Sequence, residues 1–476
     1  MRLRVLAEPE LEFGAGARHI DPRFGIAAYG PADRLTAGAP QEIRVGVVGL
    51  PSDTAGLLAW LDRCRTSIDA PSGKAERMLN LFPSFPGFSE GAAFYSTLSF
   101  QDRAVNHIRL RDLERLQDLT PADAASQAVE LYLEQIHALV EDNWCNVIIC
   151  CRPDLPEPPE GQVRQSGEVN FRDLLKARAM TFGRPIQVIK RTTWGDASKS
   201  PITGAKAAHG GRSVQDEATR AWNLHTALYY KAGGVPWRLR RQSADLSTCF
   251  VGVGFFRNTS GDNLETAVAQ VFNQRGDGVV VRGGVAALGK DDLQPHLRSE
   301  DASDLLQSAL QAFRREHKTL PARCVLHKTS SFDRAETEGF RAIADQVYLD
   351  TLDLVWVSRS ESTRLFRAGA NNPPLRGTLL ELSRDHGVLY SVGTVPFYGA
   401  YPGPFIPAPL GLRVADSERP LEVIGEEILA LTKMNWNRTQ LDARDPITLR
   451  TSAQVGNVLR FVEPEAPVIG SYAYYM

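Results

Sequence analysis

Basic and amide side chains recur in the segment FRDLLKARAMTFGRPIQVIK, residues 171–190. The pattern predicts a helix followed by a short strand, with Arg172 and Lys176 four residues apart on one helix face. Gln187 lies in the predicted strand and Lys190 ends it. Guanidinium, ammonium and amide groups are all donors to phosphate oxygens. The segment therefore predicts an anion site, and the alternative is a solvent-exposed basic face of an amphipathic helix.

The charge distribution along the chain suits an anion site. The 476 residues have a net charge of −2, which argues against a uniformly basic nucleic-acid-binding surface. Residues 164–241 nevertheless contain fifteen Lys and Arg against five Asp and Glu, so the remainder is acidic. Attraction to phosphate is screened over ~10 Å, so a polyanion site needs such a local excess. On charge alone, chance and a solvated face explain the excess equally well.

Length and composition predict a soluble protein of two or three domains. The sequence contains no run of eighteen apolar residues and no apolar stretch near residue 1, so we expect neither a membrane span nor a secretory signal. The six cysteines lack metal-ligand spacing, and most lie in apolar runs such as NVIICC. Buried thiols in a reducing cytoplasm are the expected state.

Alternating strands and helices must position these side chains. Residues 43–64 predict a strand and a helix capped by Ser52 or Asp53, residues 129–143 a helix, and residues 146–154 an apolar strand typical of a parallel sheet. After a Lys-, Gly- and Ser-rich segment at 198–213, a further helix is stopped by Gly233 and Gly234. A strand at 247–257, a hairpin at 268–284, a helix and another strand follow. This order is compatible with an RNase H-like core. We therefore predict an α/β fold.

Several motifs resemble Argonaute proteins in their order along the chain. KAGGVPW (231–237) and the preceding NLHTALYYK resemble the start of a PIWI domain, and DPRFGIAAYGP (21–31) resembles the segment that leads into a prokaryotic MID domain. GTVPFYGAYPGP, LTKMNWN and DPITLRTSAQVGNVL resemble the closing PIWI motifs. The chain leaves no room for N and PAZ domains. The resemblance implies a short Argonaute with a Rossmann-like MID domain at 1–205 and an RNase H-like PIWI domain at 206–476.

The resemblance also implies a pocket for the 5′ phosphate of a guide strand. Matching the family's motif residue by residue gives Arg172, Lys176, Gln187 and Lys231, with Arg172 in place of the usual tyrosine. The family's terminal carboxylate enters this pocket, commonly with a divalent ion. The aromatic tail APVIGSYAYYM would bring Met476 there. Mg²⁺ held by Gln187 and the Met476 carboxylate is therefore an expectation.

The residues that a nuclease would need differ from the family pattern. Slicing Argonautes hold two metal ions with Asp, Glu, Asp and a fourth Asp or His, and such ions require carboxylates. The first aspartate corresponds to Gly254, in VGVGFF. The later Arg-Asp-Gly pattern corresponds to His327, Lys328 and Thr329, and we assign the metal-ligand position to Lys328. We therefore expect no cleavage and no enzymatic activity, and Lys328 would instead neutralise a phosphate of the duplex.

The partners that we expect also follow from the resemblance alone. Short Argonautes imply a guide RNA, a single-stranded target DNA and a second protein that carries an APAZ region and an effector. A sirtuin-like NADase is favoured, and a TIR NADase is the alternative. Two other functions stay open: a guide-dependent nuclease, which would need missing carboxylates, and an unrelated α/β enzyme for a small ligand, which would leave the basic segment unexplained.

Overall fold

The computed structural model describes residues 1–72, 78–157, 169–195, 215–240, 247–257, 264–271, 278–289, 292–369, 373–401, 406–463, 466 and 468–476. The strands in these ranges are β1 (Arg2–Val5), β2 (Leu11–Glu12), β3 (Arg18–His19), β4 (Glu42–Gly49), β5 (Thr97–Ser99), β6 (Val105–His107), β7 (Val147–Cys151), β8 (Ile186–Ile189), β9 (Arg238–Leu239), β10 (Thr248–Arg257), β11 (Leu264–Val271), β12 (Gly278–Leu288), β13 (Pro295–Leu297), β14 (Arg323–Lys328), β15 (Thr351–Ser358), β16 (Thr378–Glu381), β17 (His386–Leu389) and β18 (Leu410–Asp416). The helices are α1 (Pro22–Tyr29), α2 (Pro51–Arg63), α3 (Leu110–Glu114), α4 (Pro121–Glu141), α5 (Phe171–Ala179), α6 (Glu217–Lys231), α7 (Ser299–His317), α8 (Arg334–Gln346), α9 (Leu421–Leu431) and α10 (Ile447–Leu459).

A small parallel sheet organises the first half of the chain. Its order is β5–β4–β7–β8, and β6 pairs with the later part of β4. All five residues of β7 are buried, as the apolar sequence of this strand predicts. The predicted strand–helix alternation is confirmed. The predicted cap of α2 is wrong: Leu50 precedes the helix without a side-chain cap, Pro51 fills the first turn, and Asp53 pairs with Arg191.

A ten-stranded mixed sheet organises the second half. Its order is β1–β16–β17–β18–β15–β14–β10–β11–β12–β13. The three strands β10, β11 and β12 form an antiparallel meander, and β10 then pairs in parallel with β14 after the crossover through α7. Helices α7 and α8 cover one face of β10 and β14, and α10 packs on the other face. This is the order that the sequence predicts for an RNase H-like core.

The N-terminal segment lies apart from the small sheet. Strand β1 pairs with β16 of the large sheet, and β2 pairs with β9 just after the Gly-Gly motif. Residues 1–12 therefore join the second half of the chain by strand pairing, although the predicted first domain of 1–205 includes them. The predicted boundary at 205 falls within residues 196–214, outside the described residues, and it stays a prediction. None of the described helices is both long enough and apolar enough to cross a lipid bilayer.

Candidate functional site

The start of α5 positions Arg172. Asn170 caps the helix by accepting a hydrogen bond from the Asp173 amide at 2.9 Å, and its side-chain amide donates to the Asp173 carboxylate at 2.8 Å. The other carboxylate oxygen of Asp173 accepts from Arg172 at 2.5 Å. Arg172 also reaches the main-chain oxygen of Tyr475, 3.4 Å away. The guanidinium is thereby held between the helix start and the C-terminal segment, with part of its surface exposed.

Two buried lysines converge on the C-terminal segment. Lys231, the last residue of α6, donates to the main-chain oxygens of Ala473 and Met476 at 2.7 and 3.0 Å. Lys176 of α5 donates to the same Met476 oxygen. Lys176, Lys231 and Met476 are all almost completely buried. In the ranges that the structure describes, neither ammonium group has a hydrogen bond to a carboxylate side chain.

The electrostatics of this cluster disfavour its own charge. Burial lowers the pKa of Lys176 well below its ordinary value, and repulsion from Lys231 and Arg172 lowers it further against the opposing effect of Asp173. Burial and Arg172 likewise lower the pKa of Lys231 well below its usual range. Both effects disfavour the charged form of each ammonium group. A bound anion would oppose these shifts, because a nearby negative charge favours the charged form of each ammonium group.

The C-terminal segment is fixed by its own contacts. Gly470 accepts a main-chain hydrogen bond from Val280 of β12 at 2.7 Å. The hydroxyl of Tyr475 donates to Ile469 at 3.0 Å, and that of Tyr472 donates to Gln454 of α10. A 3-10 turn at Tyr472–Tyr474 then directs the last main-chain oxygens toward the lysines. The aromatic residues that predict an ordered tail are thus the ones that anchor it.

Gln187 lies on β8 beside Ile149 of β7. Its Oε1 atom is buried and has no hydrogen-bond partner among the described residues. No described hydrogen bond joins Gln187 to Arg172, Lys176 or Lys231. The structure therefore brings together four of the five predicted pocket residues, namely Arg172, Lys176, Lys231 and Met476, and leaves Gln187 as an unsatisfied oxygen on the neighbouring strand.

The two positions compared with nuclease aspartates lie on opposite faces of the large sheet. Val253 pairs in register with Lys328, and both face the core under α7 and α8. Gly254, one residue further, faces α10, where an added Cβ atom would lie 2.8 Å from the Ser452 hydroxyl oxygen. Side chains alternate between faces along a strand, so the Gly254 position points away from the face that carries Val253 and Lys328. A single metal site could not include both Gly254 and Lys328.

Lys328 is an internal cation. Its ammonium is completely buried and bonds both oxygens of the Glu336 carboxylate, the longer contact being 2.6 Å, and the main-chain oxygen of Ser331 at 2.8 Å. Burial lowers the pKa of Lys328, and Glu336 opposes that effect. The expectation that Lys328 neutralises a phosphate of a bound duplex is wrong, because the group lies beneath the sheet surface and already has a counterion.

One group of three potential metal ligands occurs among the described residues: His296, Asp333 and Glu336. His296 lies 3.1 Å from Glu336 and 2.9 Å from Asp292. The Lys328 ammonium bonds Glu336 in the same place, so a positive charge is already present. This group lies on the α7–α8 side of the sheet, whereas Gly254 faces α10. It therefore could not supply metal ligands on the Gly254 face.

Sequence reasoning missed the residues that orient the cluster. Asp173 holds Arg172, and Asn170 holds Asp173, and both are adjacent to the predicted pair in sequence. An Asn three residues before an Asp at a helix start is a capping signal that could have identified them. Ala473 and Tyr475 contribute main-chain oxygens only, and side-chain types give no signal for such a contact.

Comparison with known proteins places this geometry in a recognised fold. No protein-family model matches the chain. The chain is 26% identical over 248 residues to a protein argonaute of Aquifex aeolicus (strain VF5), a match that covers 51% of this chain and 32% of that protein. It superposes on Clostridium butyricum Argonaute bound to a guide DNA and a 19-mer target DNA with a TM-score of 0.67 and 16% identity, over 97% of this chain and 53% of that one.

Two further solved structures have a similar fold. Drosophila Piwi gives a TM-score of 0.61 at 14% identity, over 100% of this chain and 56% of that one. Aa-Ago with externally bound siRNA gives a TM-score of 0.60 at 14% identity, over 99% of this chain and 56% of that one. The predicted fold class is confirmed, because the chain has the α/β fold of Argonaute and Piwi proteins. The chain spans about half the length of these structures.

Proposed function

We propose that this chain is an Argonaute that binds the 5′-phosphorylated end of a short guide RNA and pairs the guide with single-stranded target DNA. The observation that carries the proposal is the cluster of Lys176 and Lys231, two buried ammonium groups that both donate to the Met476 oxygen, beside Arg172. A terminal phosphate would neutralise this positive charge through charge-assisted hydrogen bonds. The choice of RNA as the guide rests on the resemblance to short Argonautes.

The Argonaute fold supports this assignment of the cluster. The Clostridium butyricum structure contains a guide DNA and a target DNA, and its fold matches almost the whole of this chain. In such a complex, base pairing selects the target sequence, and the protein contacts the backbone and the guide's end. The exposed part of Arg172 lies where a guanidinium could stack on the first base or pair with its phosphate.

The residues of the cluster suit an anion better than a metal cation. Gln187 offers a buried oxygen that has no hydrogen-bond partner in the described part of the chain, and such an oxygen is a possible ligand for Mg²⁺. The Met476 oxygen, however, already accepts hydrogen bonds from two ammonium groups, and these repel a further cation. We therefore assign charge neutralisation of the phosphate to Lys176, Lys231 and Arg172.

We propose that the chain does not cleave its target. Gly254 and Lys328 stand where the resemblance compares this chain with two nuclease aspartates, and neither side chain is a carboxylate. Metal-dependent hydrolysis needs such ligands to hold its ions. Guide-loaded protein with complementary target and Mn²⁺ should leave the target intact on a denaturing gel. A chelator-sensitive cut at one defined phosphodiester would establish the nuclease alternative.

We further propose that target pairing is signalled to a second protein in an immune complex. The effector on that protein, an APAZ-containing chain with a sirtuin-like or TIR NADase, would deplete NAD when invading plasmid or phage DNA is detected. This step rests on the resemblance to short Argonautes. Purified complex with guide should consume NAD faster when complementary single-stranded DNA is added, and equal consumption with and without target would refute the sensor role.

The phosphate cluster is tested by the affinities of two guides that differ only at the 5′ end. Wild-type protein should bind a 5′-phosphorylated guide at least tenfold more tightly than a 5′-hydroxyl guide. The Lys176→Ala/Lys231→Ala variant should lose that preference, because charge-assisted bonds contribute ~1.5–3 kcal/mol each. Arg178→Ala is the matched control, since Arg178 lies on the same helix but is exposed and pairs with Glu130. Equal affinity of wild-type protein for both guides would refute the assignment.

A further inference from the structure

One half of the ten-stranded sheet is covered by helices on a single face. Across β16 to β18, residues such as Leu379 and Leu412 pack with α9 in one buried cluster. On the opposite face, Leu380, Val388 and Tyr390 form a small cluster with Leu365 and Leu382, and no helix contributes to it. Sheet faces in stable domains are normally buried against another layer. Leu380, Val388 and Tyr390 are nevertheless buried, because loop residues such as Leu365 pack on them, and this face is incompletely covered only at its edge.

Strand β1 forms the edge of the same half-sheet. Within the described ranges it pairs only with β16, so its second edge is free. Leu3 pairs with Leu380, which places Leu3 and Val5 on the incompletely covered face. Leu3 is 62% exposed and Val5 is 57% exposed. A free strand edge with exposed apolar side chains is a template for pairing with another strand.

An aromatic–guanidinium stack lies on the same face. Arg413 of β18 pairs in register with Trp356 of β15, and its guanidinium lies 4.6 Å from the Trp356 ring. Arg413 is exposed and forms no ion pair among the described residues. Trp and Arg are the residues that most often dominate the energetics of protein interfaces. The face thus carries exposed apolar side chains at its edge on β1 and an arginine without an ion pair in the described ranges on β18.

The sequence of β1 disfavours a second copy of this chain as the occupant of the edge. A two-fold antiparallel pair that keeps Leu3 and Val5 on one face must place arginine opposite arginine, because Arg2 and Arg4 alternate with them. Arg4 already pairs with Glu422 at 2.6 Å, whereas Arg2 has no acidic partner in the described ranges. The strand that fits this edge carries acidic side chains on the arginine side.

We infer that the free edge of β1 accepts a strand from a different polypeptide, in which apolar and acidic side chains alternate. Its apolar side chains would cover Leu3 and Val5, and its acidic side chains would face Arg2 and Arg4. This is β-strand addition, in which main-chain hydrogen bonds supply affinity and alternate side chains supply specificity. The inference names a docking surface for the proposed partner protein and rests on that partnership.

The test uses two fluorescent peptides, one of alternating valine and glutamate and one of alternating valine and lysine. The glutamate peptide should bind the protein, and the lysine peptide should bind at least tenfold more weakly. The Leu3→Lys/Val5→Lys variant should bind the glutamate peptide at least tenfold more weakly, because lysines on that face would not pack against the valines of the peptide. Leu35→Lys is the matched control, since Leu35 is 74% exposed and lies outside this strand.

Affinity for a 5′-phosphorylated guide, measured on the same preparations, separates the two proposals. Guide affinity should be unchanged in Leu3→Lys/Val5→Lys, which also shows that the variant folds. Equal binding of both peptides, or binding that the variant does not alter, would overturn the docking surface while leaving the guide site intact. Dimerisation in sedimentation experiments that this variant abolishes would assign the edge to a second copy, and this outcome would also overturn the inference.

Discussion

Lys176 and Lys231 show how single residues prepare a site for an anion at a cost to stability. Each ammonium is buried among main-chain oxygens, and the pKa of each is lowered by burial and by neighbouring positive charge. Without an anion, the folded protein must either release these protons or hold unneutralised charge in its interior. The same two groups that would select a phosphate therefore weaken the unliganded fold.

This cost predicts a pH dependence with a defined sign. Below the ordinary lysine value of 10.5, the unfolded chain keeps protons that the folded chain binds weakly, so the free energy of unfolding should rise with pH between the lowered values and 10.5. Lys176→Met/Lys231→Met should lose this rise, because methionine has no proton to release. Urea unfolding at pH 7 and pH 9.5 measures both effects. Arg178→Met is the control, and an identical pH dependence in wild type and the double variant would contradict the argument.

The contact between β10 and α10 limits which side chain can occupy position 254, which the resemblance compares with a nuclease aspartate. A Cβ atom on Gly254 would lie 2.8 and 2.9 Å from the Oγ and Cβ atoms of Ser452, and 3.1 Å from its main-chain carbon. The helix therefore packs directly on the strand and leaves no space for a larger side chain at position 254. A substitution that introduces aspartate there would have to move α10.

Gly254→Ala should lower the free energy of unfolding by about 1–3 kcal/mol, because overpacking a close helix–strand contact forces backbone or side-chain shifts. Gly38→Ala is the matched control, since nothing lies within 4 Å of the added Cβ atom. Denaturant unfolding of the two variants measures the difference. If both variants unfold at the wild-type denaturant concentration, the contact has room that the structure does not show.

At the element scale, hydrophobic periodicity and the Gly-Gly stop predicted much of the order of strands and helices, but the sequence did not predict the strand register. The strand VIICC and the helix ending before Gly233 lie where the sequence predicts them. The sequence did not predict that Gly254 and Lys328 lie on opposite faces, because the pairing of β10 with β14 is set by packing between distant segments. Helix α4 begins earlier than predicted, at Pro121, and the Thr120 cap that starts it was overlooked.

For the whole molecule, the candidate site depends on contacts between segments that are remote in sequence. Lys176, Lys231 and Met476 meet only because α5, α6 and the C-terminal segment pack together. The sequence could propose these residues by resemblance to a family motif. It could not show that the lysines are buried, because burial depends on every element packed around them. Nor did it predict that residues 1–12 pair with the second half of the chain.

The buried ion pair of Asp21 and Arg23 ties the two halves of the molecule together. The Arg23 guanidinium bonds the Asp21 carboxylate at 2.8 Å, the Leu81 main-chain oxygen at 2.9 Å and the Tyr398 hydroxyl at 3.2 Å. Burial alone would raise the pKa of Asp21, but Arg23 and Tyr398 hold the pKa below its ordinary value. Three segments, of which the last lies 375 residues from Arg23, therefore share one charge-neutral cluster.

Removing one charge from this cluster should cost far more than removing both. Arg23→Met should lower the free energy of unfolding by about 3–5 kcal/mol, because it leaves the Asp21 carboxylate buried and unpaired. Asp21→Asn/Arg23→Met should recover much of this loss, since asparagine keeps the cap of α1 without the charge. Denaturant unfolding, followed by fluorescence and by circular dichroism, measures the stability and shows whether the halves still unfold together. If Arg23→Met is no less stable than the double variant, the ion pair does not hold the two halves in register.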